Sequence, residues 1–76
     1  MNTKMRVRLV AHTPIGVFYA GSTTVTEEEY NDSVAVIAQF AERGKYVQLE
    51  DANGSAVVIA QNTIQNSVFV LEKLDV

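Results

Sequence analysis

The chain has no cysteine and no tryptophan, and only one histidine and one proline. Without cysteine there can be no disulfide staple. His12 alone, with no His/Cys cluster around it, offers no ligand set for a structural zinc ion. The four glycines stand singly at turn-like positions, so there is no glycine-rich phosphate loop. No apolar run approaches the ~20 residues of a membrane-spanning helix. Residues 1–6 lack the apolar stretch of a secretory leader, so a soluble cytoplasmic protein is expected, and the Asn-x-Ser triplets at Asn31 and Asn53 are chance matches.

What is present points to one small ordered domain spanning residues 1–76, with 47% hydrophobic and 20% charged residues. A domain of this size buries only roughly 60–65% of its unfolded surface. Small scaffolds usually compensate with disulfides, a metal or association. With the first two excluded by composition, association remains, unless the core packs unusually well.

Residues 5–11 alternate as a strand, and Thr13-Pro14-Ile15-Gly16 suits a type I turn closed by a left-handed glycine bulge. Residues 17–21 then return, with Thr13 expected opposite Val17, His12 opposite Phe18, Ala11 opposite Tyr19 and Val10 opposite Ala20. Residues 22–24 read as a polar connector. Thr26 followed by Glu27, Glu28 and Glu29 is a Thr-x-x-Glu capping box, with Val25 and Tyr30 placed for a hydrophobic staple. A helix over 27–43 follows, stopped by Gly44 in a left-handed conformation. Its expected apolar stripe is Tyr30, Val34, Ile37, Ala38 and Ala41, widened by Ser33, Val36 and Phe40. Strands over 45–50 and 55–60 flank the turn Asp51-Ala52-Asn53-Gly54, which sets Leu49 opposite Val57 and Val47 opposite Ile59. Residues 61–66 form a connector with a short helical turn anchored by Ile64, and 68–74 form the last strand.

The expected fold is therefore α+β, ordered β-β-α-β-β-β, with a mainly antiparallel sheet packed on one helix. Both faces of that sheet are apolar. Val7, Leu9, Ala11, Val17, Tyr19, Val47, Leu49, Val57 and Ile59 are assigned to the helix side. Val10, Phe18, Ala20, Tyr46, Ala56 and Val58 fall on the other. Of the last strand, either Phe69 and Leu71 or Val68 and Val70 face inward. A lone helix covers one face, and contiguous exposed apolar patches mark interaction sites. The expected contact surface is Val10, Phe18, Tyr46, Val58, Val68 and Val70. The alternative is a sheet that curls into a partial barrel and covers itself.

Lys4, Arg6 and Arg8 alternate along the first strand and share a face with His12. They could contact an anion such as a nucleic-acid phosphate. Charges on an outer strand also block aberrant pairing. A net charge of −3 and the absence of an aromatic platform argue against nucleic acid. A third reading sets the stripe against the acidic helix start, Glu27–Glu29 with Asp32, of another subunit. His12, Thr13 and Ser22 lack the partners of a catalytic constellation, and the glutamates are accounted for by capping. No enzyme activity, cofactor or small-molecule substrate is expected.

The segment Gly44-Lys45-Tyr46-Val47-Gln48-Leu49-Glu50-Asp51-Ala52-Asn53-Gly54, feeding Ser67-Val68-Phe69-Val70-Leu71-Glu72, resembles small phage and prophage proteins in style. The resemblance carries no functional residues. It implies a minor virion component or an accessory protein that binds a host or viral partner. The expected function is a non-enzymatic interaction protein that self-associates or docks on a larger complex through an apolar sheet face or edge strand. The alternative is a small nucleic-acid-binding or regulatory protein using Lys4, Arg6 and Arg8.

Overall fold

The computed structural model describes residues 4–74. Met1, Asn2 and Thr3, used above in reading the amino end, and Asp75 and Val76, included in the single-domain span, lie outside the described residues. The elements run β1 (Lys4–Thr13), β2 (Gly16–Tyr19), β3 (Thr23–Thr26), α1 (Glu27–Arg43), β4 (Tyr46–Glu50), β5 (Ala56–Ala60), α2 (Gln61–Gln65) and β6 (Val68–Leu74). The fold is α+β with one antiparallel six-stranded sheet.

The ten-residue β1 organises the sheet. β6 runs along one edge of it, from Arg6↔Leu74 to His12↔Val68. β2 and β3 share the other edge, β2 beside residues 10–13 and β3 beside residues 4–7. The polar connector expected over 22–24 thus joins a strand: Thr23, Thr24, Val25 and Thr26 are mostly β-branched and find a free edge on β1. Between Val10↔Tyr19 and Val7↔Thr23, Arg8 and Leu9 face Ala20, Gly21 and Ser22. The extra residue is a β-bulge, which sharpens the local twist. β4 joins β2 through the single pair Tyr19↔Glu50, and β5 pairs with β4.

The second hairpin has the expected register, Leu49↔Val57 and Val47↔Ile59. The Gly54 N–H donates to the Asp51 carbonyl at 3.0 Å, and the Asp51 N–H to the Ser55 carbonyl at 3.0 Å. Asp51 Oδ1 accepts from the Asn53 and Ser55 N–H groups, both at 2.9 Å. Gly54 sits at φ 82°, where a side chain would be strained.

The first hairpin differs from expectation by one residue. Val10 faces Tyr19, Ala11 faces Phe18, His12 faces Val17 and Thr13 faces Gly16. Thr13 closes the loop itself: its Oγ1 accepts from the Ile15 N–H at 3.2 Å and donates to the Gly16 carbonyl at 2.7 Å. The loop shrinks to Pro14-Ile15, and Gly16, at φ 146°, pairs rather than bulges. A one-residue slip turns every side chain of a strand over. Phe18 and Ala20 therefore join the helix side, while Val17 and Tyr19 go to the outer face.

The inner face holds most of the core. Ala11, Leu49, Ile59 and Ile64 form a buried cluster, and Leu9, Phe18, Ala20, Phe40, Val47, Val57 and Phe69 pack around it. Phe69, not Val68, is the inward residue of β6, and it meets the Phe40 ring edge-on at 6.1 Å. Ile59 on β5 and Phe69 on β6 touch the same cluster from opposite ends of the strand order. The outer face does not cover itself as the alternative reading had it, since Tyr46, Val58 and Val68 stay exposed, and α2 packs against β4, β5 and α1. Ile64 is the one buried residue of α2 and joins the inner cluster.

The capping box of α1 forms in full: the Thr26 N–H donates to Glu29 Oε1 at 2.8 Å, and the Glu29 N–H donates to Thr26 Oγ1 at 3.2 Å. The Thr26 backbone N–H, then its side chain, hold the Glu29 carboxyl below the usual carboxylate range. A depressed folded-state value stabilises the fold above the unfolded-state value. The contribution disappears as pH falls through the folded-state value. Glu29→Gln is thus expected to flatten the acid limb of a urea-midpoint-against-pH curve while leaving points below that range unchanged.

No residue of α1 is fully buried, and Val34 and Val36 of the expected stripe are exposed. The helix rests on the sheet through Tyr30, Ile37, Phe40 and Ala41, each half-buried. Gly44 ends the helix in an extended conformation (φ −64°, ψ 141°), not the expected left-handed one. Its glycine is needed for room: a Cβ there would lie 2.5 Å from the Phe40 ring. Gly44→Ala is expected to cost about 1–3 kcal/mol through this overpacking, read as a lowered urea midpoint.

Candidate interaction surface

Alternation along each strand defines the outer face, and the pairing registers align it. One cross-strand row runs Val68, His12, Val17. The next runs Val70, Val10, Tyr19, Glu50, Ala56. Gln48 with Val58, and Tyr46 with Ala60, complete the face on the β4–β5 hairpin. No second layer lies over these residues among the described part of the chain.

Of the six expected contact residues, four are exposed here. Tyr46 is 68% exposed, Val58 67% and Val68 63%, and Val70 is also exposed. Two require correction. Val10 lies on this face but is only 3% exposed, enclosed between Tyr19 of β2 and Val70 of β6 in the middle of the sheet. Phe18 is on the opposite face, against the core cluster, because of the register of the first hairpin. The side-chain chemistry of Thr13 was the available signal: a threonine before Pro can close a two-residue loop.

Reading the register one residue off also hid Tyr19. Its ring lies under the Arg8 guanidinium, 4.7 Å from centroid to Cζ. Arg8 is in turn bonded to Glu72 Oε1 at 2.9 Å across the β1–β6 ladder. This pair and the stacked tyrosine roof over Val10. Arg6 Nη2 donates to Ser22 Oγ at 3.0 Å. The basic stripe is thus broken up: Arg8 is engaged by Glu72 and Tyr19, Arg6 turns to the bulge, and Lys4 sits at the β1–β3 end.

Beside α1 lies a groove of about 190 Å³, lined by Val34, Ile37, Ala38, Ala41, Phe69 and Leu71. Its walls hold no titratable side chain. Among the described residues no group of three or more His, Asp or Glu side chains is close enough to hold a metal ion, and no helix is long and apolar enough to cross a membrane. No protein-family model, curated protein or solved structure matches the chain.

Proposed function

We propose that this chain is a non-enzymatic interaction and assembly protein that self-associates, or docks on a larger complex, through the outer face of its sheet or an open strand edge. The supporting observation is the exposure of Tyr46, Val58 and Val68 on a sheet face without a covering layer. At ~25 cal/mol per Å², burying even part of such a surface contributes several kcal/mol. The arrangement is also polar enough, through His12, Gln48, Glu50 and the Arg8–Glu72 pair, to stay in water until a partner arrives. A minor virion component, or an accessory protein bound to a host or viral partner, belongs to the same proposal through the resemblance carried by residues 44–54 and 67–72. Its location would then be the producing cell's cytoplasm or the virion.

Sedimentation or light scattering at high micromolar concentration tests self-association. The expected result is a mass of two or more chains, reduced by Tyr46→Asp with helix content unchanged. A clean monomer at that concentration overturns it. The nucleic-acid alternative retains Lys4 and Arg6 but has Arg8 tied to Glu72, and the net charge is −3. It would need an oligonucleotide shift that weakens with salt.

A further inference from the structure

Three strands have a single neighbour among the described residues: β3, β5 and β6. Open edges invite pairing, and proteins block them with charges, bulges or covering groups. Two of these edges are blocked by α1. On β3, the Thr26 N–H is taken by Glu29 Oε1. On β6, the Leu71 carbonyl accepts from the Tyr30 hydroxyl at 3.2 Å. Lys73, also on β6, reaches over the Tyr30 ring at 4.9 Å. β5 has neither device. Its sequence, Ala56-Val57-Val58-Ile59-Ala60, holds no charge, no proline and no glycine. α2, which follows it, turns under the sheet to bury Ile64 and does not run along the edge.

The hydrogen-bond parity of β5 follows from its turn. Asp51 and Ser55 form a bonded pair, so bonded and unbonded pairs alternate from there. Leu49↔Val57 and Val47↔Ile59 are bonded within the hairpin. Ala56 and Val58 therefore aim both their N–H and C=O groups at the free edge, and Ala60 its N–H, the Ala60 carbonyl serving the first turn of α2 as its N-cap. The Tyr19↔Glu50 bridge agrees, since it requires even-numbered residues of β4 to bond away from β5.

We infer that the partner of this protein is a second copy of itself, joined β5 to β5 antiparallel about a two-fold axis through Val58; the inference rests on the association proposed above. In that register Val58 faces Val58 and Ala56 faces Ala60. Val58 exchanges two bonds with its copy and each Ala60 N–H reaches an Ala56 carbonyl, giving about four backbone hydrogen bonds. A two-fold interface must be self-complementary, and a segment without charge brings no like charges together. Tyr46, Val58 and Ala60 of both copies then form one continuous apolar strip on the outer face of a shared sheet. A contact this small makes a weak dimer, with Kd on the order of micromolar.

The chain has no cysteine, so Val58→Cys introduces the sole thiol. Paired residues facing each other across a bonded site are ~5.5 Å apart at Cα, within disulfide range. Mild oxidation is expected to convert Val58→Cys largely to a covalent dimer, and Val68→Cys, on β6, only at collision level. Val58→Lys and Val58→Glu should each weaken the dimer by about tenfold or more, and mixing the two should restore it as a heterodimer. Val58 is exposed, so circular dichroism should match the parent. If Val58→Lys associates like the parent, or Val68→Cys cross-links in preference, the β5 edge is not the interface although association stands. A parent chain that is monomeric throughout overturns both.

Discussion

Ile64→Ala is expected to lower the melting temperature by roughly 10–30 °C, one of the largest effects available in this chain. Ile64 is 1% exposed and belongs to the buried cluster with Ala11, Leu49 and Ile59. It is also the one fully buried residue of α2. α2 has five residues and no side-chain cap at its N-terminus, so it is far too short to be helical by itself. Its polar contacts are local, such as the Thr63 N–H to Asn62 Oδ1 and Asn66 Nδ2 to the Asn62 carbonyl. They shape the turn without fastening it to anything.

The magnitude follows from size. Truncating a buried isoleucine costs about 2–5 kcal/mol. At 0.05–0.15 kcal/mol per residue, a chain of this length has roughly 4–11 kcal/mol in total. One methyl-and-ethyl deletion therefore removes a large fraction of it. The loss is also positional, because Ile64 joins α2 to Ala11 of β1, Leu49 of β4 and Ile59 of β5 in one cluster. Val36→Ala, on the exposed side of α1, should stay within about 0.5 kcal/mol of the parent. Thermal and urea denaturation of the two variants decide the matter. Equal midpoints for Ile64→Ala and the parent would mean that α2 does not hold the inner face together.

What the residues announced in advance was what local chemistry decides. The capping box at Thr26 and Glu29 placed the start of α1, and Asp51 with Gly54 placed the β4–β5 register, because each signal satisfies backbone groups within a few residues. The β6 span and the anchoring role of Ile64 were legible from the apolar pattern of the residues themselves. What escaped was non-local or a near tie. The threonine-rich segment 23–26 becomes a strand because β1 is long enough to offer it an edge. Gly44 answers to the Phe40 ring rather than to backbone conformation. The surface suffered from the same limit. Tyr46 and Val58 were legible from alternation within one hairpin. The enclosure of Val10 depends on β2 and β6 flanking β1, which alternation along one strand does not encode.

The first hairpin was such a near tie, and it yields the other large effect. Phe18→Asp is expected to unfold the chain, whereas Val17→Asp, one residue away, is expected to leave it folded. Phe18 packs half-buried against the core cluster, and a carboxylate there would lose much of its water against apolar neighbours. Removing a fully buried ring costs about 3–5 kcal/mol, an upper figure for the half-buried Phe18, and the charge adds to it. Val17 stands on the outer face, 41% exposed and opposite His12, where a carboxylate keeps its water. Far-ultraviolet circular dichroism and urea midpoints of the two variants read the difference directly. The opposite outcome, a folded Phe18→Asp and an unfolded Val17→Asp, is what a β2 register shifted by one residue would produce, with Thr13 facing Val17. The pair therefore tests the turn as well as the core. If Thr13 Oγ1 is what selects the two-residue loop, Thr13→Val should narrow the gap between them, because both bonds that close Pro14-Ile15 pass through that hydroxyl.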